Sequence, residues 1–339
     1  MKTLLKKLMA KEDLSFDEIK FAVDSIAHKE VSEAQIAAFL TAVTAKGVNK
    51  EEFYAFAANM RNYARRVITD KYVVDSCGTG ADLSKTINIS TSASIVARAC
   101  GVNVIKQTNS SITSASGSTD FLGALGIDIM STPEEALECF NKNGITFVHS
   151  PYFNEFASVN NPIRRQIGIK TIFNFLGPLI NPSFPDAQLL GVSSNQMCDQ
   201  IAYALQKLGT DRALVVNGLE PNLDEISICS ETRVLELQNG EIKEYFVKPE
   251  DFGMSRASLS EIQGGNGAEN AKFITEIFEN KRQGAMLDVI LLNAGAMIYL
   301  SGLVKSILEG IEEAKSCIKT QEALNILRGL ENGKFVKSV

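Results

Sequence analysis

Four polar clusters in this chain have residue types and spacings that could do chemistry together. The first is Asp75-Ser76-Cys77-Gly78-Thr79-Gly80-Ala81-Asp82, followed shortly by Asn88-Ile89-Ser90-Thr91. Glycines let backbone N–H groups approach an anion closely, and a helix starting at Asn88 would add a favourable partial charge, so this pair reads as a phosphate cradle. A Gly-Thr-Gly triplet alone is equally an ordinary strand-to-helix turn. The second cluster, Lys106-Gln107-Thr108-Asn109 with Ser114-Ala115-Ser116-Gly117-Ser118-Thr119-Asp120, offers one point charge among hydroxyls and an amide, a set suited to phosphate and ribose hydroxyls. Its plainer reading is a solvated serine-rich loop. The third, Asp224-Glu225, places two hard oxygen donors side by side, as Mg²⁺ bridging substrate phosphates prefers, although such a pair is often simply exposed. The fourth is Asn161-Pro162-Ile163-Arg164-Arg165, leading into residues 171–182. A guanidinium there could grip a carboxylate through two parallel hydrogen bonds or form a surface ion pair.

These clusters need elements to hold them. After Asp70 short β-rich runs alternate with helical stretches: Tyr72 to Asp75, Val102 to Ile105, Ile145 to Val148, Leu189 to Val192 and Ala213 to Val216. That alternation predicts an α/β domain with a mainly parallel sheet and flanking helices, whose ligands bind beyond the carboxyl ends of the strands. The clusters stand at those ends. Thr232 to Val247, centred on Asn239-Gly240, predicts an added hairpin. Residues 1–68 read as helices, with capping signals at Ser15 and Glu18, Ser32 and Gln35, and Asn49 and Glu52. Helices are expected again from Ala268 onward.

With 339 residues, 45% of them apolar, the chain can bury a sizeable core, and it divides into a helical domain over 1–68 and an α/β domain over 70–339. A helical segment near 160–182 joins the first. The start, Met1 to Ala10, resembles a secretory signal only faintly, because Lys6 and Lys7 interrupt it. Val289 to Val304 is shorter than the roughly 20 apolar residues of a membrane span, so a buried helix and no membrane association are expected. A net charge of −6 argues against nonspecific nucleic-acid binding, which rests on Lys and Arg. Six scattered cysteines without a Cys-x-x-Cys pair suggest neither a disulfide framework nor zinc, and fit the cytoplasm.

Taken in order, these segments resemble the anthranilate phosphoribosyltransferase family over essentially the whole chain. The glycine loop, the Asn-x-Ser-Thr helix start, Lys-x-x-Asn, Ser-Gly-Ser, Thr-Ile-Phe-Asn-x-Leu-Gly-Pro-Leu-x-Asn-Pro and Asp-Glu all stand at compatible spacing. The resemblance implies a fold like that of nucleoside phosphorylases. It also implies Mg²⁺-dependent transfer of the 5-phosphoribosyl group of phosphoribosyl pyrophosphate (PRPP) to anthranilate, in tryptophan biosynthesis, or to a related aromatic acid. Carried over by residue, it implies that Gly78, Thr79, Gly80, Asp82, Asn88, Ser90, Thr91, Lys106 and Ser118 bind PRPP, and that Ser90, Asp224 and Glu225 hold the metal. Lys106, Asn109 and Arg164 become the catalytic group, with Asn109 between the substrates and Arg164 on the acceptor's carboxylate. Gln107 and Asn154 would line the acceptor side. A homodimer through the helical domain is implied too, and Phe39, Phe53 and Phe56 are expected to present apolar surface to the partner.

The departures lie on the acceptor side. Gln107, Thr108 and Ser110 stand where the family has histidine, glycine and arginine; Asn154-Glu155 replaces a His-Pro, Asn217 replaces a histidine, and Lys170 an arginine. Of the two histidines, His28 reads as structural and His149 follows a strand near the expected site. A general base is not indispensable, because an aromatic amine is already neutral at pH 7. The larger demand is to stabilise charge on ribose C1 and on departing pyrophosphate. Two alternatives stand beside this reading. A non-catalytic binding protein would show decayed phosphate and metal motifs, and a nucleoside phosphorylase would need no metal-binding pair.

Overall fold

A computed structural model of the chain describes residues 1–80, 84–108 and 117–331. It opens with α1 (Lys2–Met9), α2 (Phe16–Ala27), α3 (Glu33–Lys46) and α4 (Lys50–Arg61). All three capping signals close as reciprocal boxes, at Ser15 and Glu18, Ser32 and Gln35, and Asn49 and Glu52. Each box satisfies N–H groups that a helix start leaves unpaired.

The chain then runs through β1 (Val74–Gly78), α5 (Ile89–Ala99), β2 (Val104–Thr108), α6 (Ser118–Ala124), α7 (Pro133–Asn143) and β3 (Ile145–His149). Next come α8 (Ser150–Phe153), α9 (Glu155–Ile167), α10 (Phe173–Leu176), β4 (Ala187–Gly191), α11 (Cys198–Lys207) and β5 (Arg212–Gly218). A hairpin of β6 (Thr232–Gln238) and β7 (Glu241–Val247) precedes α12 (Gly267–Phe278), α13 (Ala285–Leu300), α14 (Ile307–Lys319) and α15 (Glu322–Glu331). The seven strands form one sheet in the order β3-β2-β1-β4-β5-β6-β7. The first five strands are parallel and the hairpin is antiparallel. Asn239 and Gly240 turn the hairpin at φ 54° and 75°, the left-handed pair that a two-residue turn requires. Strand order reverses between β1 and β4, and open α/β sheets bind ligands at such a switch point.

Helices α5 and α13 cover one face of the sheet, where Val74, Val104 and Leu189 pack with Ile95 and Leu292. The opposite face carries Leu190 and Val215 into the same apolar cluster as the N-terminal bundle, α9, α10 and α11. Phe173 of α10 packs edge-on against Phe56 at 5.4 Å and stacked on Phe156 at 5.8 Å. Phe39, Phe53 and Phe56, expected at a partner surface, are therefore fully buried within one chain. The sequence reading missed this because their covering helices lie a hundred residues downstream. Among the described residues, no helix is long and apolar enough to cross a membrane.

Strand boundaries also differ from expectation. β1 and β2 run on to Gly78 and Thr108, beyond the apolar runs ending at Asp75 and Ile105. Asp75, Ser76, Lys106 and Gln107 are thus inside central strands, each 2% exposed or less. Hydropathy places such residues in loops; hydrogen bonds from the sheet and its neighbours let Asp75, Lys106 and Gln107 stay buried.

Candidate active site

At the carboxyl ends of β1 and β4, Gly78 and Gly191 sit in register, and the loop after β5 lays Asp224 across both. A Cβ on Gly78 would lie 2.3 Å from Asp224 Oδ2, and one on Gly191 would lie 1.6 Å from the Asp224 carbonyl oxygen. Gly80, at φ +72°, donates its N–H to Asp224 Oδ2 at 2.6 Å. Gly78, singled out for closeness to phosphate, is thus required by the approach of a carboxylate, and Gly191, which the sequence reading missed, is required by the approach of the Asp224 backbone. Thr79 fastens the same loop to the β4 end: its N–H donates to Gly191 O at 2.9 Å, and its Oγ1 accepts from Ser193 N at 3.0 Å. Asp82 lies outside the described residues.

Beneath this loop, Lys106 Nζ donates to Ser76 O and, at 3.2 Å, to Ser90 Oγ. Ser90 and the nearly buried Thr91 occupy the first turn of α5. That turn contains no acidic residue, and Asn88 makes no side-chain cap to it, so the helix start keeps its attraction for an anion. The Asn88 side chain instead accepts from Asn270 Nδ2 at 2.9 Å, tying the cradle to α12. Ser118 opens α6, while Asn109 lies outside the described residues. Cys77, at the centre of the glycine motif, reports how closely the charges gather. Burial pushes its thiol up to about 12; Lys106 opposes this, while Asp75, Asp224 and Glu225 add to it. Cys77 is therefore a neutral thiol ringed by charged residues of β1, β2 and the loop after β5.

Asp224 and Glu225 are each 9% exposed. Their loop is gripped from α13, where Asn293 accepts from Ile226 N at 3.1 Å and donates to Ile226 O at 3.0 Å. Asn217, in the place of a family histidine, donates to Val192 O and Asn222 Oδ1, both at 2.6 Å, and so braces the loops after β4 and β5. Two adjacent, nearly buried carboxylates are a donor set that fits Mg²⁺, which takes one or two carboxylates together with substrate phosphates. Among the described residues no cluster of three or more His, Cys, Asp or Glu side chains offers a fuller metal cage.

Gln107, expected on the acceptor side, faces the turn from Gly177 to Asn181. Gln107 Nε2 donates to Gly177 O at 2.8 Å, Gln188 Nε2 to Pro178 O at 3.0 Å, and Asn181 Nδ2 to both Asp75 Oδ2 and Ile105 O at 2.8 Å. Three neighbouring strands thereby hold this turn. The sequence reading had Asp75 in the phosphate cradle and Asn181 in the run after Arg165, and did not single out Gln188; only their burial beside one another reveals this clasp. Gln107 keeps its Oε1 buried, with no hydrogen-bond partner among the described residues. Arg164, in the last turn of α9, donates from Nη1 to Asn161 Oδ1 at 3.2 Å, and no ion pair among the described residues includes it. Burial pushes its guanidinium down to about 10, so it stays charged at neutral pH.

Asn154, expected to line the acceptor side, serves the scaffold. It is 2% exposed, accepts from Ala157 N at 3.0 Å as the cap of α9, and donates to Met60 O at 2.9 Å at the end of α4. A histidine there would forfeit the cap. His149 ends β3 edge-on to Tyr152 at 5.2 Å. Its Nδ1 is buried with no hydrogen-bond partner among the described residues, and burial holds its pKa below the usual imidazole value. His28 caps the end of α2 and packs against Tyr63 at 5.6 Å.

Known proteins are similar to this chain over nearly its whole length. Residues 2–64 match the helical bundle domain of a glycosyl transferase family, and residues 70–324 match its a/b domain. Anthranilate phosphoribosyltransferase of Methanosarcina acetivorans is 41% identical over 326 residues, covering 96% of this chain and 87% of its own. The crystal structure of anthranilate phosphoribosyltransferase from Thermus thermophilus superposes with a TM-score of 0.89 at 34% identity, covering 97% of this chain and 98% of that one. The Saccharomyces cerevisiae protein in complex with PRPP and Mg superposes at 0.88 with 27% identity, covering 97% and 96%.

Proposed function

The chain belongs to the anthranilate phosphoribosyltransferase family and is a phosphoribosyl glycosyltransferase; on that premise we propose that it moves the 5-phosphoribosyl group of PRPP, with Mg²⁺, onto anthranilate or a related aromatic acid. The observation that carries this reading is the seating of Asp224 over Gly78 and Gly191 at the switch point, with Lys106 of β2 bonded to β1 and to the start of α5 beneath it. In the proposed reaction Lys106, Ser90 and the start of α5 bind the phosphates, with Gly80, Asn88, Thr91 and Ser118 around them. Asp224 and Glu225 hold the metal, which would offset charge building on the departing pyrophosphate. Arg164 orients the acceptor by its carboxylate, so that a neutral amine meets ribose C1 without prior loss of a proton. Gln107 supplies its buried oxygen as an acceptor of hydrogen bonds in place of a titrating imidazole. We further propose a cytoplasmic homodimer.

The test is pyrophosphate release from PRPP across aminobenzoates, hydroxybenzoates and pyridine carboxylates, with and without Mg²⁺, for wild type and Asp224→Asn/Glu225→Gln. Turnover with one acid is expected in wild type with metal, falling at least about 100-fold in the variant, the scale of losing a positioned electrostatic group. Release by no acceptor while PRPP binds normally would hand the site to the binding-protein reading.

A further inference from the structure

Away from the site, the six cysteines are not equivalent. Cys77, Cys139 and Cys198 are buried, and Cys100, Cys229 and Cys317 are partly exposed. Among these, Cys100 and Cys317 meet, Sγ to Sγ at 2.8 Å across 217 positions of sequence. Cys100 closes the C-terminus of α5, Cys317 sits in the last turn of α14, and the two helices pack on each other. Non-bonded heavy atoms rest at about 3.5–4.0 Å, and a disulfide needs about 2.05 Å, so the sulfurs already stand between contact and bond.

We propose that Cys100 and Cys317 form an oxidation site, at which a hydroperoxide converts the two thiols reversibly into a disulfide that bolts α5 to α14. The geometry divides the roles. The Cys100 S–H donates to Cys317 Sγ, and that bond holds the Cys317 thiol below its usual range against burial and the carboxylates of Glu313 and Glu322. The same bond, with burial and Glu313, pushes Cys100 up. Partly exposed, low-pKa thiols beside a second thiol are those that oxidise selectively. The Cys317 thiolate attacks one oxygen of hydrogen peroxide and the O–O bond breaks. This leaves a sulfenic acid on Cys317 and a hydroxide that takes up the proton Cys317 released. The Cys100 thiolate then attacks the Cys317 sulfur, forms the S–S bond and displaces a second hydroxide, which takes up the Cys100 proton. Two thiols are oxidised by two electrons, and one peroxide becomes two waters.

The bolt joins the far end of the helix that starts at the phosphate cradle to a helix packed on α13, the holder of the Asp224-Glu225 loop. Neither cysteine belongs to the site. The test treats the purified full chain with hydrogen peroxide, alkylates it, and measures intact mass and linked peptides. Wild type is expected to lose two hydrogens, to yield a peptide joining Cys100 to Cys317, and to melt about 5 °C higher, the scale of closing a long loop. Dithiothreitol reverses all three. In Cys100→Ser the linkage disappears and Cys317 is trapped by dimedone; in Cys317→Ser, Cys100 remains a thiol. Six alkylatable thiols in peroxide-treated wild type, or a linkage through other cysteines, would overturn the proposal.

Discussion

Arg164 holds its charge half out of water in α9, with an asparagine as hydrogen-bond partner and no described carboxylate in an ion pair with it. A desolvated, unpaired cation is destabilising in itself. Its placement makes sense if an anion arrives from outside the chain, and it predicts a trade of function against stability. Arg164→Leu should melt at a higher temperature than wild type. Its KM for the aromatic acid should rise about 10- to 100-fold, because a hydrogen bond to a charged group contributes about 1.5–3 kcal/mol. KM for PRPP should stay close to wild type. Steady-state kinetics paired with thermal melts check both halves. A lower melting temperature with equal rises in both KM values would mean that Arg164 only supports the fold.

At the scale of elements, what distinguishes this fold is that helices position loops by single amides. α13 is buried along most of its length, yet carries Asn293, which pairs both backbone groups of Ile226 next to the acidic pair. α9 is capped by Asn154, which also reaches the end of α4. Replacing Asn293 by leucine would leave the N–H and C=O of Ile226 buried without these partners. The expected loss of stability is about 2–6 kcal/mol, from two such groups at about 1–3 kcal/mol each. Because the same amide holds the acidic loop, PRPP affinity in the presence of Mg²⁺ should fall in parallel. Denaturant unfolding gives the first quantity and calorimetric titration the second. Lost stability with unchanged PRPP affinity would separate α13 from the site.

For the whole molecule, the open question is which surface would meet a second copy. The three phenylalanines are consumed internally, but α1 and α3 leave a groove of about 440 Å³ lined by Leu5, Met9, Ala37, Ala38, Thr41, Ala42 and Ala45. Met9 is 82% exposed at its edge. Small residues along α3 would let a partner helix approach closely, and covering Met9 and Leu5 would remove apolar surface from water. Ala38→Arg is therefore expected to convert a dimer to a folded monomer, seen as half the mass in sedimentation with an unchanged circular dichroism spectrum. A wild-type chain that sediments as a monomer at all concentrations would dispose of the dimer.

The sequence alone determined the features encoded over short spans. The capping boxes at Ser15, Ser32 and Asn49, the Asn239-Gly240 hairpin and the alternation of strand and helix needed only local chemistry, because each satisfies its hydrogen bonds within a few residues. The motifs also carried the glycine loop, Lys106 and Asp224-Glu225 into one expected site. Tertiary structure alone decided what these groups touch. Gly78 and Gly191 are needed because Asp224, from the loop after β5, crosses both strand ends, its carboxylate against the first and its backbone against the second. Asn154 came to tie α9 to the end of α4, and Asp75 with Asn181 and Gln188 became a clasp, because residues up to 113 positions apart were brought within hydrogen-bonding reach. A side chain's partners depend on which strands and helices pack as neighbours, and no local window of sequence contains that information.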